Sequence, residues 1–590
     1  MRLSPRTVSC AVLLLVVLSV FFVVKYQSPH WVESLYQQKQ FELLNKITGA
    51  SSERSLGFYL GKSEEMFFGP VTQVISGTAF AVLMSVGLPA IGFWKFVAAT
   101  MAYFFVTKWE VFFFPLYGDT MGGPFAEALW LARNNFNYVE LFHQPGYAAG
   151  GPKVYMFSIY PTYAAILLKV FPWPKVFLFV NHLIVFMMAA VIAALVRELL
   201  KKSFRADAAA LGALLLLFMP VFQSQTEAIN MEMPTVFFAT LSAYYLIQKK
   251  LDRSAWMAIF SVLAKGTGAF ACIAAFLVIA LLFFIKNEFR FHRRIIWLGA
   301  GLLVASALSV GGKFLIHDQH VSIGGVNFLK GWDSISKYRI FYIYIYSLIV
   351  YAAYGIYFWK KKLPDDFWRN GVMFVFGGMW FLLFLNFYAL LHRYSVTVYP
   401  FIIFCVIFSA GLIIKNNTAR KWSLIIIVIA TLWLSYGEGQ SYRNQHFILE
   451  RSLEFRSGLK LSRLVAERVE EKYSQFKIGA QLITAQLLAF PEFGYVGKDL
   501  DVMIYGFQCL YSGIDNYPGM KNLDIRRTIY ITQADEWFPD EQFPISAQDK
   551  IIDEVEWGDR KAYFFMGGIG IERRKMLNDL WRARQAGLIK

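Results

Sequence analysis

Residues 91–120 read IGFWKFVAATMAYFFVTKWEVFFFPLYGDT, and the character of the whole chain follows from them. The stretch 91–115 is apolar and aromatic over a length that suits a membrane span of ~20 residues. Tyr117-Gly118-Asp119-Thr120 then brings a carboxylate to the point where the chain leaves the hydrocarbon. Twelve more apolar segments lie near 10–24, 70–88, 176–197, 206–222, 233–248, 253–264, 268–285, 294–312, 338–359, 370–389, 395–414 and 422–436. Hydrophobic residues make up 57% of the 590 and charged ones 17%, against roughly 25% charged in soluble domains. A soluble enzyme, a disordered chain and a fibrous protein are excluded. The fold expected is an all-α polytopic membrane protein of about 13 transmembrane helices.

The net charge of +17 raises the question of nucleic acid, and its location answers it. From Tyr436 onward there are 21 Lys/Arg against 22 Asp/Glu, whereas the first 435 residues carry 37 basic and 19 acidic groups. A basic excess confined to the apolar part marks loops retained on the cytoplasmic side, not a nucleic-acid face. With the N-terminus inside, the inner segments gather twenty cations against six acids, at the N-terminus and at 197–205, 249–253, 286–294, 360–369 and 415–421. The same parity sends the C-terminus outside. The stretch 155–171 contains Pro161 and Lys169 and precedes Pro172-Trp173-Pro174. It reads as a helix at the outer interface, because a crossing there would turn every later basic cluster outward.

Cys10, Cys272, Cys405 and Cys509 have no paired spacing, so neither a disulfide framework nor a zinc motif is expected. The run 11–24 reads as a retained signal anchor. Outside, 25–69 is polar without a legible motif, and 116–175 is a long aromatic loop. Within that loop Phe125, Ala128, Leu129, Ala132, Phe136 and Val139 recur at helical spacing, an amphipathic helix over 124–142. The last part, 436–590, opens with a charged helical stretch at 447–475. Strand-like runs follow at 476–480, 501–505, 528–532, 551–555 and 562–566, with a closing helix at 571–586. That alternation predicts a small soluble α/β domain.

Few residues offer chemistry. Asp119 is either a helix cap or loop acid, or a carboxylate placed to take a proton from an acceptor hydroxyl. Glu232, two residues before Pro234, sits at a helix start, where the dipole favours an acid anyway; Glu227 lies close by. Two outward acids at helix mouths are more specific as a pair than singly. In Leu391-His392-Arg393-Tyr394 the arginine either snorkels to the headgroups or grips a lipid phosphate with its planar fork. Lys265-Gly266-Thr267-Gly268 is a helix break with a cation beside it, equally suited to a plain break or to phosphate. His143 and Lys153 are weaker candidates.

The order of these motifs resembles the GT-C superfamily of integral-membrane glycosyltransferases, among them aminoarabinose transferases and protein O-mannosyltransferases. The likeness rests on Asp119 in an outer loop, Glu232-x-Pro234, the Lys265-Gly266 turn and the late Arg393-Tyr394 with Pro400, and it spans roughly 90–435. The resemblance implies a GT-C-like catalytic transmembrane domain at 89–435, preceded by a two-helix extension at 1–88. It implies transfer of a sugar from a polyprenyl-phosphate donor to a lipid, glycan or protein acceptor, at the periplasmic face of the inner membrane. Asp119 would be the base and Glu232 a second acid. Arg393 and Lys265, with His392 and Tyr394 beside them, would meet the donor phosphate, and Glu227, His143 and Lys153 would be auxiliary. No cofactor is called for. The lone aspartate, without the paired acids some members use, speaks against a bound divalent metal. The alternatives are a lipid-linked-sugar flippase or transporter, against which stands the lack of an internal repeat, and a GT-C-like partner subunit without activity.

Overall fold

The computed structural model describes residues 5–116, 124–143, 159–227, 229, 231–286, 299–304, 307, 332, 339–359, 365–385, 392–414, 416–436, 452–480, 482–497, 500–504, 528–534, 550–558 and 560–566. They are mostly helical. Four of the described helices are long and apolar enough to cross a membrane: Val8–Gln37, Leu56–Gly87, Pro174–Leu200 and Ser395–Ile413. A further pair, Ala206–Phe218 and Pro220–Glu227, passes the same test only as a broken span, bent by 60°. The break has a local cause. A proline disfavours helical backbone in the residue before it, and Met219 is accordingly extended at φ −63°, ψ 128°. The straight segment expected over 206–222 is therefore a bent one that continues to Glu227, with Gln223, Ser224, Gln225 and Thr226 buried along the way.

Two other expectations change. The first helix runs Pro5–Gln37 instead of ending near 24, and the polar stretch after it is not a plain loop. Helices Phe41–Thr48 and Leu56–Ser63 bring Leu44, Phe58 and Tyr59 onto Val32 in a small core, and Ser55 caps the second by accepting Phe58 N–H at 3.1 Å. The pattern over 124–142 forms two helices, Ala126–Arg133 and Tyr138–His143, parted where Asn135 and Phe136 take left-handed φ of 50° and 60°. Helix Ile159–Val170 has 12 residues. At ~1.5 Å per residue it falls well short of a ~30 Å hydrocarbon core.

The main core forms around helix Pro174–Leu200, which packs on Phe93–Thr107 and on Ala206–Phe218. Both Pro174–Leu200 and Ala206–Phe218 are rich in buried alanine, so their backbones approach closely. Phe186 stacks on Phe112 and lies 4.8 Å from Phe104 between ring centroids.

All five strand-like runs are strands: β1 (Lys477–Ala480), β2 (Val502–Ile504), β3 (Thr528–Ala534), β4 (Lys550–Trp557) and β5 (Arg560–Met566). They form one sheet in the order β2-β1-β3-β5-β4. The pairs β1–β2 and β1–β3 are parallel, and β3–β5 and β4–β5 antiparallel. Ile478, Ala480, Ile529, Ile531 and Phe564 share a core with Leu461, Val465 and Val469 of the preceding helical stretch, whose α-helical part is Ser452–Arg468. Helix Leu482–Ala489 was not anticipated, and the closing helix expected at 571–586 lies outside the described residues.

The sheet unit is packed on the helical body. Gly558, at the β4–β5 turn, donates its N–H to Gly57 O at 3.0 Å. Gly57 and Gly61 make room for this turn, since a Cβ on either would strike the backbone at 556–558. Ser55 bonds Glu556, and Lys460 pairs with Glu64. On another side Phe125 meets Phe490 edge to face and Phe493 at a tilt, and Arg133 pairs with Glu492 at 2.7 Å. Helix Ser452–Arg468 also packs on the half-helix Pro220–Glu227.

Candidate active site

Helices Glu232–Ile247 and Leu251–Ala264 form a tight antiparallel hairpin, turned at Lys249 with φ 60°. Polar rungs set its register. Ser242 and Ser254 hydroxyls meet at 2.9 Å, and Ser261 Oγ donates to Thr235 O at 2.9 Å. Carried to its open end, this register puts Lys265 opposite Glu232. There the Lys265 ammonium contacts Glu232 Oε1, while Oε2, also buried, has no hydrogen-bond partner among the described residues. Glu232 is 1% exposed, and the Lys265 side chain 22%. Lys265 itself is extended, and Gly266–Gly268 make a 3₁₀ turn before helix Ala269–Lys286. Gly268 lies so close to the Ser261 carbonyl that any side chain there would collide.

The turn His392–Val398 packs against both Glu232–Ile247 and Pro220–Glu227. His392, Arg393 and Tyr394 open this turn, and their three side chains lie outside the described residues. Asp119 and Lys153 lie outside them entirely, and the side chain of His143, at the end of its helix, does so too.

Glu227 pairs with a different cation from Glu232. Its carboxylate contacts the Lys108 ammonium, and both side chains are 1% exposed. His182, fully buried on helix Pro174–Leu200, holds Nε2 3.2 Å from Glu227 O and Nδ1 2.9 Å from Leu178 O. Neither Lys108 nor His182 had been singled out. The signal for Lys108 was present: a lysine inside the apolar run 91–115 is costly to place there and calls for a partner. Between Glu227 and Glu232 the chain turns through Ile229, buried and left-handed at φ 47°.

This arrangement offers a buried carboxylate with one oxygen neutralised and one unpaired among the described residues, and beside it a cation with partial access. A carboxylate so paired is a poor start for a metal site, and no group of three His, Cys, Asp or Glu side chains could hold an ion among the described residues.

Fold and site together define a helical membrane protein whose polar groups gather at helix ends, with a small mixed sheet packed on the helical body. The model of the family described as "Dolichyl-phosphate-mannose-protein mannosyltransferase" matches residues 163–311, the segment that contains Glu227, Glu232 and Lys265. The resemblance of the chain to GT-C membrane glycosyltransferases, first seen in motif order, agrees with that match. Among solved structures the chain is similar to ArnT from Cupriavidus metallidurans bound to undecaprenyl phosphate, at 12% identity and a TM-score of 0.45 over 80% of this chain and 97% of that one. The apo form of the same protein aligns at 12% identity and 0.43, over 79% and 98%. No curated protein matches.

Proposed function

We propose that the chain is an inverting glycosyltransferase that moves a sugar from a polyprenyl-phosphate donor to an acceptor hydroxyl at the periplasmic face of the inner membrane. The observation that carries this reading is the Glu232–Lys265 pair, a half-satisfied buried carboxylate at a helix mouth beside a partly exposed ammonium. The matched family is described by a dolichyl-phosphate donor, itself a polyprenyl phosphate, which supports the donor class.

In this reading Asp119 takes the acceptor's proton and the freed oxygen attacks the anomeric carbon. The bond from that carbon to the phosphate oxygen breaks, its electron pair leaving with the phosphate; attack from the opposite side inverts the centre. Glu232 Oε2 orients the acceptor. Arg393 and Lys265, with His392 and Tyr394, offset the charge that gathers on the departing phosphate. Holding both reactants away from water supplies much of the remaining rate. His143 and Lys153 are auxiliary, as is Glu227. Thirteen crossings with a cytoplasmic N-terminus, an extension at 1–88, a catalytic body at 89–435 and a periplasmic domain at 436–590 complete the proposal.

The test is release of free polyprenyl phosphate by purified protein from a panel of short-chain polyprenyl-phosphate sugars, with native lipid extract as acceptor source. Asp119→Asn should lower release by about 100-fold or more, in the range of a lost general base. Equal release by wild type and variant would remove Asp119 from its role, and no release from any donor would remove the function.

A further inference from the structure

We infer that Lys108 and His182 are positioning residues that hold Glu232 in place by gripping Glu227. The inference rests on the reading of Glu232 given above. Lys108 follows helix Phe93–Thr107 and binds the Glu227 carboxylate, while His182, from Pro174–Leu200, lies against the Glu227 carbonyl. One residue, the last of a half-helix, is thus held by side chain and by backbone from two different helices. Stability alone is a weak reason for such a pair, because replacing a buried ion pair with apolar side chains is often neutral or better. Geometry is the stronger reason. Only residues 228–231 separate Glu227 from Glu232, and Ile229 among them is left-handed, a conformation that β-branched residues avoid unless their surroundings impose it. Imposing it requires both ends to be held. The far end is held by the first turn of its own helix, where Thr235 Oγ1 donates to Met231 O at 2.9 Å, and across the hairpin by Lys265, which takes Glu232. The near end is held by Lys108 and His182. Freeing Glu227 lets the turn relax and carries Glu232 away from Lys265.

The experiment uses the full-length protein in nanodiscs with Lys108→Met/Glu227→Met, which removes both charges and strands neither. Hydrogen exchange should rise at least tenfold in peptides spanning 225–235, with the rest of the helical body unchanged. On the short-chain polyprenyl-phosphate sugar that wild type turns over, kcat should fall on the order of 100-fold, the cost of an ångström-scale misplacement, with donor KM within threefold. Unchanged exchange at 225–235, or kcat within twofold of wild type, overturns the inference. If the double variant does not fold, His182→Phe replaces it. His182 already lies among the rings of Phe112 and Phe186, and the variant should give the same split at about tenfold. Glu232→Gln run in parallel separates the failures: an inactive Glu232→Gln beside a fully active double variant sinks the clamp alone, and an active Glu232→Gln sinks the role of Glu232. If wild type turns over no donor, the exchange arm alone decides whether the clamp exists.

Discussion

Glu232 and Lys265 are unequally buried, and that inequality predicts how substitutions there behave. Lys265→Met leaves an uncompensated charge on a carboxylate that is 1% exposed, which costs about 3–5 kcal/mol. Glu232→Gln keeps an acceptor for the ammonium, and Lys265 can reach solvent, so its cost is near 1 kcal/mol. Thermal unfolding of the two variants should therefore show a much larger loss for Lys265→Met. The reverse order would overturn the ranking by burial. Asp553 supports a prediction of a different kind. Burial would raise its pKa, but a hydrogen bond from Lys472 at 3.2 Å and the charge of Arg468 hold it below the usual carboxylate range. A depressed native pKa contributes stability that is complete above the unfolded value, near ~4, and is lost as pH falls through the native one. Wild type should thus unfold a few degrees above Asp553→Asn at pH 7, and the two should converge as the pH falls below the native pKa of Asp553.

At the scale of elements, the contact between the β4–β5 turn and helix Leu56–Ser63 stands out, because it joins parts of the chain about 500 residues apart. Gly57 and Gly61 have the spacing of a helix-packing motif, yet the face they clear receives a β-turn. Gly61→Leu should force the turn off, at about 1–3 kcal/mol for overpacking. Faster hydrogen exchange in β4 and β5 would report the release. Gly92→Ala, where an added Cβ meets nothing within 4 Å, is the control. Unchanged exchange in β4 and β5 would show that the contact at Glu556–Gly558 does not hold the sheet unit. The strands themselves were legible, because short alternating runs bounded by polar residues can pair only as strands. Helix Leu482–Ala489 was not: an uncharged run of eight, polar only at Thr484 and Gln486, has no periodic polar face to mark it.

Across the whole molecule, the sheet unit meets the first helices at Gly57 and Gly61, and its leading helix Ser452–Arg468 packs on the half-helix that ends at Glu227. The sequence alone determined that this is a helical membrane protein and that a small α/β unit follows it, and it singled out Glu232, Lys265 and Arg393 as candidate positions. Those readings depend on local quantities: apolar runs long enough for a bilayer, period-two alternation, and rare charges beside helix ends. Pro220 also carried a local signal for the break, which the reading of 206–222 as one segment passed over. Only the tertiary structure decided that Lys265 faces Glu232, that Glu227 belongs to Lys108 and His182, and that Gly57 and Gly61 seat a distant turn. Each of these joins residues between 33 and 501 positions apart. Such a pairing is set by how whole helices register against one another, and that register is a property of the assembled core, which no short stretch of sequence contains.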